Sequence, residues 1–313
     1  MEKSSQVSLI IPCFNEEENV DQLVLQLSGF CNQHREIQLE VIFVDDCSSD
    51  GTFAKVLQAN HMHYSTRVIR LSKNCGSHAA FRAGCSIAQF DVVTQTSCDL
   101  QHPLSLISDM LQSMDSNNAD TVIAIRANDY YESNFERMFS KFYTWLVRKY
   151  AVETYPHGGF DVFMISKRVK SLLNSNVEDN SSVPLQILSY GLVQNKINYQ
   201  KAQRFKGKSK WTLSKKIKLF IDTFIAFSYA PLRLVTLMGI TMLFIGVVWS
   251  TYLILRKLFV GDLALGWPML YSTIILGFGI TNISLGIIAE YLWRTLDTAR
   301  RRPVFVIERD VTI

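Results

Sequence analysis

The chain has 313 residues, of which 48% are apolar and 19% charged, with a net charge of +4. That length allows one large domain or two modest ones, and the apolar share is enough for a full core. The charge is too mild to argue for a nucleic-acid partner, and none is expected.

MEKSSQ leads straight into an apolar strand pattern, with no secretory signal before it. Residues 7–12, VSLIIP, read as a buried strand. FNEEENVDQLVLQLSGFC then turns helical, with Asn15 as its expected cap and acids in the first turn. LEVIFVDD is a second strand that ends in acids, and CSSDGTFAKVLQAN passes from turn residues into a helix. TRVIRLS is a third strand, followed by a glycine-containing turn and helix in NCGSHAAFRAGCSIAQF. DVVTQTSCD is a fourth strand, LISDMLQSM a helix, and TVIAIR a fifth strand. Strand and helix alternate five times, which predicts an α/β domain with a mainly parallel sheet covered on both faces. Ligands of such sheets bind at the carboxyl ends of the strands. Asn15, Glu16, Asp45, Asp46, Asn74, Asp99 and Arg126 collect there. No GxGxxG follows the first strand and no GxxxxGK[ST] occurs, which argues against a dinucleotide site and a P-loop.

From about 130 to 165 the chain becomes helical and aromatic and reaches PHGGFDVFMISKRV, where Gly158-Gly159 predicts a turn or a close backbone approach. Lys201 to Lys218 holds eight Lys or Arg and no Asp or Glu. Within it a helix from Thr212 to Phe227 places Leu213, Ile217, Phe220, Ile221, Phe224 and Ile225 largely on one face, with Lys215, Lys216 and Lys218 elsewhere. Such a helix can lie in a membrane interface, with lysines toward anionic headgroups. Pro231 ends it.

Two uncharged runs follow, Leu234–Leu255 of 22 residues and Gly266–Ala289. Each is long enough to cross the hydrocarbon core as a helix. Basic residues precede the first run, and Arg294 and Arg300–Arg302 follow the second. The positive-inside tendency puts both ends in the cytoplasm. Six cysteines occur without a CxxC pair, which reads as reduced thiols, and Cys98 reads as a small buried residue.

SLIIPCFNEEENV, VDDCSSDGT, LSKNCGSHAAFRAG and SCDLQHP resemble, in that order, the successive blocks of family 2 glycosyltransferases, whose fold is the Rossmann-like GT-A fold. RFKGKSKW, the basic helix, the two runs and AEYLWRTLDTARRRPVF resemble the polyprenyl-phosphate members, which include bactoprenol glucosyltransferases and dolichol-phosphate mannose synthases. The resemblance spans nearly the whole chain. It implies a GT-A catalytic domain at 1–198, then a basic acceptor loop and interfacial amphipathic helix at 199–231. Two transmembrane helices at 232–293 and a cytoplasmic tail at 294–313 complete it.

The resemblance also assigns residues. Pro12 and Phe14 match positions that shape the base pocket, and Glu16, Asp45 and Asp46 match the acids that contact the nucleoside. A carboxylate accepts the N–H of uracil or the hydroxyls of ribose. Where the family presents Asp-x-Asp, this chain has Ser97-Cys98-Asp99. Asp99 is thus the metal ligand, for Mg²⁺ or Mn²⁺ on the diphosphate. Ser97 binds through a water or contacts sugar or ribose. Gln101 matches a position near sugar and phosphates, and His102 reads either as an acceptor-side contact or as a helix start. Arg126 matches an arginine near the diphosphate sugar and Arg137 one that faces the acceptor. Arg204, Ser209 and Lys210 match the block that gathers phosphate oxygens, a guanidinium fork beside a point charge.

Gly159 stands where relatives carry the Asp of GDF, and Asp161 follows two residues later, which leaves the base open. A phosphate monoester, with a second pKa of about 6, needs no base to attack. The implied activity is inverting transfer of a hexose from a nucleotide sugar to a polyprenyl phosphate, undecaprenyl phosphate, at the cytoplasmic face of the inner membrane. The sugar carrier is expected to be UDP, with glucose as one candidate, and a homo-oligomer is allowed. Two alternatives stay open: a glycan polymerase of the same fold, and a catalytically weak scaffold subunit. The first is opposed by the lack of a QxxRW motif.

Overall fold

The structure is a computed structural model. It describes residues 5–127, 144–149, 152–156, 159–177, 182–200, 202, 267–300 and 302–313, with isolated positions at 138, 141 and between 235 and 259. The chain divides into two compact units: Met1–Phe220 with Pro303–Ile313, and Ile221–Arg302.

The first unit is built on β1 (Ser5–Cys13), β2 (Ile37–Asp45), β3 (Ser65–Leu71), β4 (Val92–Gln95), β5 (Thr121–Arg126), β6 (Phe160–Ile165), β7 (Gln194–Tyr199) and β8 (Ile307–Thr312). Its helices are α1 (Val20–Gln33), α2 (Thr52–Gln58), α3 (Ser77–Ile87), α4 (Ser105–Asn117), α5 (Lys167–Ser175) and α6 (Val183–Ser189). The strands form one sheet in the order β7-β5-β6-β4-β1-β2-β3-β8. The pairs β1/β2, β1/β4, β2/β3 and β5/β7 are parallel. β6 runs antiparallel between β4 and β5, and β8 antiparallel on β3.

The five strands read from the sequence are all present. β6, β7 and β8 are absent from that reading: β7 and β8 are edge strands with few buried residues, and β6 falls at the end of a stretch whose pattern reads as helical and aromatic. β4 is shorter than its pattern: it ends at Gln95, and 96–104 is a loop before α4. Within the C-terminal tail, 307–312 is an edge strand of the sheet.

β1 and β2 are buried on both faces, as strands of a covered parallel sheet must be. Val7, Leu9 and Ile11 join the core under α1, α2 and α4, with Leu23, Leu27, Phe53 and Met110. Ile10 faces the other way, against α3. The approach there is close: a Cβ on Gly84 would stand 2.6 Å from Ile10 Cγ2 and 3.2 Å from Val44 Cγ2. Glycine lets the helix backbone sit directly on the sheet. Pro12 is tolerated in this central strand because β4 has already ended. The last contact on that side is the Thr96 amide donating to the Ile10 carbonyl at 3.1 Å.

In the second unit, helix α7 (Trp267–Arg300) runs 34 residues, about 51 Å at the α-helical rise. It covers the second apolar run from Trp267 onward and continues past Arg294 to Arg300. Among the described residues no helix is long and apolar enough to cross a membrane. The side chains at several positions of α7, and nine of the 22 residues of 234–255, lie outside the described set. The segment 212–227 lies outside it as well.

Candidate active site

The carboxyl ends of β1 to β5 and β7, with the amino ends of β6 and β8, form one edge of the sheet. Five loops at this edge each hold a residue with positive φ: Asn15 (53°), Cys47 (58°), Gly76 (88°), Leu100 (61°) and Gly159 (65°). Left-handed backbone at non-glycine residues costs of order 1–2 kcal/mol each and persists where surrounding contacts over-determine it.

On the β1/β2 side those contacts form an interlock. The Asn15 amide donates to Ser48 Oγ at 3.0 Å, and Asn15 Oδ1 accepts from the Ser49 amide at 2.8 Å. Asn15 therefore does not cap α1, which begins after Asn19; asparagine tolerates the left-handed region, and its side chain bonds across to the next loop instead. The Glu16 amide donates to Thr52 Oγ1 at 2.8 Å, and the Glu16 carboxylate accepts from Asn19 Nδ2 at 2.6 Å. Gly51 donates its amide to Glu17 Oε2 at 2.9 Å; a Cβ there would stand 2.6 Å from Glu17 Oε1. Phe14 and Pro12 are half-buried beside this pair of loops.

The two acids after β2 have different surroundings. Asp45 is buried, and both its oxygens accept from the Ser48 amide at 3.3 Å. Burial pushes its carboxyl above the ordinary value, against the pull of Ser48 and Arg70. Asp46 accepts the Cys75 amide at 2.7 Å and the Gly76 amide at 2.8 Å, so it braces the loop after β3.

The second cluster follows β4. Ser97 Oγ donates to Asp99 Oδ1 and stands 3.0 Å from His102 Nδ1. The Gln101 amide donates to the same Asp99 oxygen at 3.2 Å, and the Gln101 carbonyl accepts the Ala202 amide at 3.0 Å. The left-handed turn at Leu100 wraps the chain around the Asp99 carboxylate. His102 is buried and meets the Tyr199 ring edge-on at 5.9 Å. Tyr199 is in register with Arg126 across the β5/β7 pair. Cys98 is buried against Cys13; their hydrogen bond and burial push the Cys13 thiol well up, which makes it unreactive. All six cysteines are free thiols.

Arg126 and Asp161 are brought together. The ladder between β5 and β6 pairs Ala124 with Val162 and Ile125 with Phe160, so Asp161 is the extra residue of a bulge. Its carboxylate accepts from Arg126 Nη2, and its carbonyl accepts from Gln95 Nε2 at 2.6 Å. Gly159 precedes it with φ 65°, a conformation an aspartate would hold under strain.

Sequence reasoning missed Ser48, which lies in the VDDCSSDGT block but beside more conspicuous acids, and Gln95 and Tyr199, which lie in none of the quoted family blocks. Arg137, Arg204, Ser209 and Lys210 lie outside the described residues.

The donors around Asp99 are hard oxygens, a carboxylate and a hydroxyl. Among the described residues no group of three or more His, Cys, Asp or Glu side chains is arranged to hold a metal ion. One carboxylate fits a cation that takes its other ligands from a diphosphate and water.

The model of the family described as "Glycosyl transferase family 2" matches residues 8–175. The chain is 28% identical over 316 residues to an undecaprenyl-phosphate 4-deoxy-4-formamido-L-arabinose transferase of Proteus mirabilis, covering 100% of this chain and 96% of that one. It is 25% identical to a prophage bactoprenol glucosyl transferase homolog of Escherichia coli, covering 97% and 98%. Among solved structures, glucosyl-3-phosphoglycerate synthase from Mycobacterium tuberculosis, in complex with Mn²⁺, UDP-glucose and phosphoglyceric acid, matches 71% of this chain and 78% of its own at 12% identity and a TM-score of 0.49. The family match, which includes the loops after β1 to β4 and the bulge at Asp161, establishes that this chain belongs to glycosyl transferase family 2 and is a glycosyltransferase.

Proposed function

We propose that the enzyme transfers a hexose, with inversion, from a UDP-sugar to the phosphate of a polyprenyl lipid at the cytoplasmic face of a membrane. The observation that carries this reading is the pairing at one sheet edge of two clusters of different chemistry. The interlocked loops after β1 and β2 offer carboxylates to a nucleoside. The loop after β4, with Arg126, offers one carboxylate and one cation to a diphosphate and its sugar.

The residues divide the work as follows. Glu16 and Asp45 accept from base or ribose, and the half-buried Phe14 and Pro12 wall the base. Asp99 would hold Mg²⁺ or Mn²⁺, with Ser97 beside it, and the cation would neutralise charge on the departing diphosphate. Arg126 donates to the diphosphate from the other side, kept in place by Asp161. Gln101 and His102 border the sugar. An oxygen of the lipid phosphate forms the new bond to the anomeric carbon, while the bond from that carbon to the diphosphate breaks and its electron pair leaves with UDP. The attacking phosphate is ionised already, so no residue has to remove a proton. That fits Asp161, whose carboxylate is engaged by Arg126 rather than poised as a base.

Membrane attachment is part of the proposal. Large apolar side chains of the second unit are exposed, among them Leu237 (61%), Phe244 (69%), Leu270 (60%) and Phe278 (68%). Exposed apolar surface of that extent marks a membrane or partner surface, and the names of the two curated relatives point to a lipid-phosphate acceptor. Arg137, Arg204, Ser209 and Lys210 are assigned to the acceptor phosphate. The test is to incubate membranes containing the protein with a panel of radiolabelled nucleotide sugars and undecaprenyl phosphate. A single labelled lipid from a UDP-hexose is the expected result. Label that stays water-soluble, or enters a polymer, would overturn the acceptor.

A further inference from the structure

The edge strand β8 reaches the nucleoside end of the site through one arginine. β8 pairs with β3 as Ile69 with Asp310, Arg70 with Arg309, and Leu71 with Ile307. One residue on β8, Glu308, is left over: it is the extra residue of a bulge. A bulge turns its extra side chain toward the face of its neighbour. Glu308 Oε2 accordingly lies 3.7 Å from Arg70 Nε. The same Nε lies 3.6 Å from Asp45 Oδ2. Nη2 of Arg70 donates to the Ser48 carbonyl at 3.1 Å, and the guanidinium covers the Phe53 ring at 5.4 Å. Ser48 in turn supports Asp45 with its amide and Asn15 with its hydroxyl. The Ser72 amide donates to the Val306 carbonyl at 3.0 Å, which fixes the entry of β8 beside this loop.

We infer that Arg70 is a positioning residue for the nucleoside pocket, and that Glu308, carried by the C-terminal strand, sets its position. The inference rests on the nucleotide-sugar reading above. Asp45 is buried and has Arg70 as a neighbouring cation. A guanidinium drawn wholly onto Asp45 would take the oxygens that the nucleoside needs. Glu308 prevents this by drawing on the same nitrogen, so the charge is shared between two carboxylates. Arg70 then steadies Asp45 and the Ser48 carbonyl without neutralising the pocket. Glu308 is half-exposed and touches the pocket only through Arg70, so its loss acts on affinity rather than on the transfer step.

The test uses the full chain in detergent, with UDP as the probe in calorimetry and UDP-sugar kinetics in the lipid assay. E308Q removes the charge and keeps the shape. It is expected to weaken UDP binding three- to tenfold and raise the KM for the donor by the same factor, with kcat within twofold of the wild type. D310N is the comparison: it loosens β8 by removing the Arg67 pair but leaves Arg70 alone, and UDP affinity should stay within twofold. R70K, which keeps the charge, should retain more affinity than R70M. Unchanged UDP affinity in E308Q overturns the inference. So does an equal loss in D310N, which would make strand pairing the cause. No UDP binding by the wild type overturns the nucleotide reading, and this inference with it. Should R70M fail to fold, E308Q and D310N decide alone.

Discussion

The carboxylate of Asp161 lies on the guanidinium of Arg126 because β6 carries one residue more than β5 at that point. The bulge converts a strand residue into a side chain aimed at the carboxyl edge of the sheet. A second bulge does the same for Glu308 and Arg70 at the far edge. In both places an acid on an antiparallel strand fixes an arginine on a strand that runs with β1.

Arg126→Ala should lower kcat about 100-fold, as expected for loss of one donor to a developing anion. Asp161→Asn keeps the arginine but loosens it, and should cost less, about tenfold. If Asp161 were a general base instead, Asp161→Asn would be the more damaging of the two. Steady-state rates of both variants, with UDP affinity measured alongside, separate the roles.

Asp99→Ala should abolish the metal dependence of nucleotide binding, with calorimetry in the presence and absence of Mg²⁺ as the measurement. Ser97→Asp adds a second carboxylate beside Asp99 and should lower the Mg²⁺ concentration needed for half-maximal activity. It also removes the hydroxyl that joins Asp99 to His102, so kcat is expected to fall even as metal affinity rises.

Gly84→Ala places a methyl group 2.6 Å from Ile10 Cγ2. Overpacking at a helix–sheet contact costs about 1–3 kcal/mol, more than the helix propensity that alanine returns. Chemical denaturation of the variant should show a lowered midpoint with an unchanged slope.

Arg67 holds the Asp310 carboxyl below its ordinary value, through contacts of 2.8 and 2.6 Å. A lowered native value means that the pair contributes stability above the unfolded carboxyl's pKa, about 3.9. The contribution is lost as pH falls through the native value. Amides of β8 should therefore lose hydrogen-exchange protection on acidification below about pH 4. In D310N their protection should be lower at neutral pH and less dependent on pH in that range.

The local sequence determined the alternation of five strands and four helices. Buried parallel strands need continuous apolar runs, and the helices between them need an amphipathic period. It also determined which polar residues stand at the carboxyl edge, since a residue that ends a parallel strand can only be there. Ser97-Cys98-Asp99 was legible for the same reason, though the pattern extended β4 past Gln95; the left-handed backbone at Leu100, which curls the loop around Asp99, has no signature in composition. The tertiary structure alone decided that Asp46 braces the loop after β3 while Asp45 stays by Ser48, although the two are neighbours in sequence. It alone made 307–312 a strand and turned Asp161 and Glu308 toward their arginines. Those outcomes depend on the count of residues between distant ladder partners. A one-residue surplus redirects a side chain, and no periodicity within either strand records it.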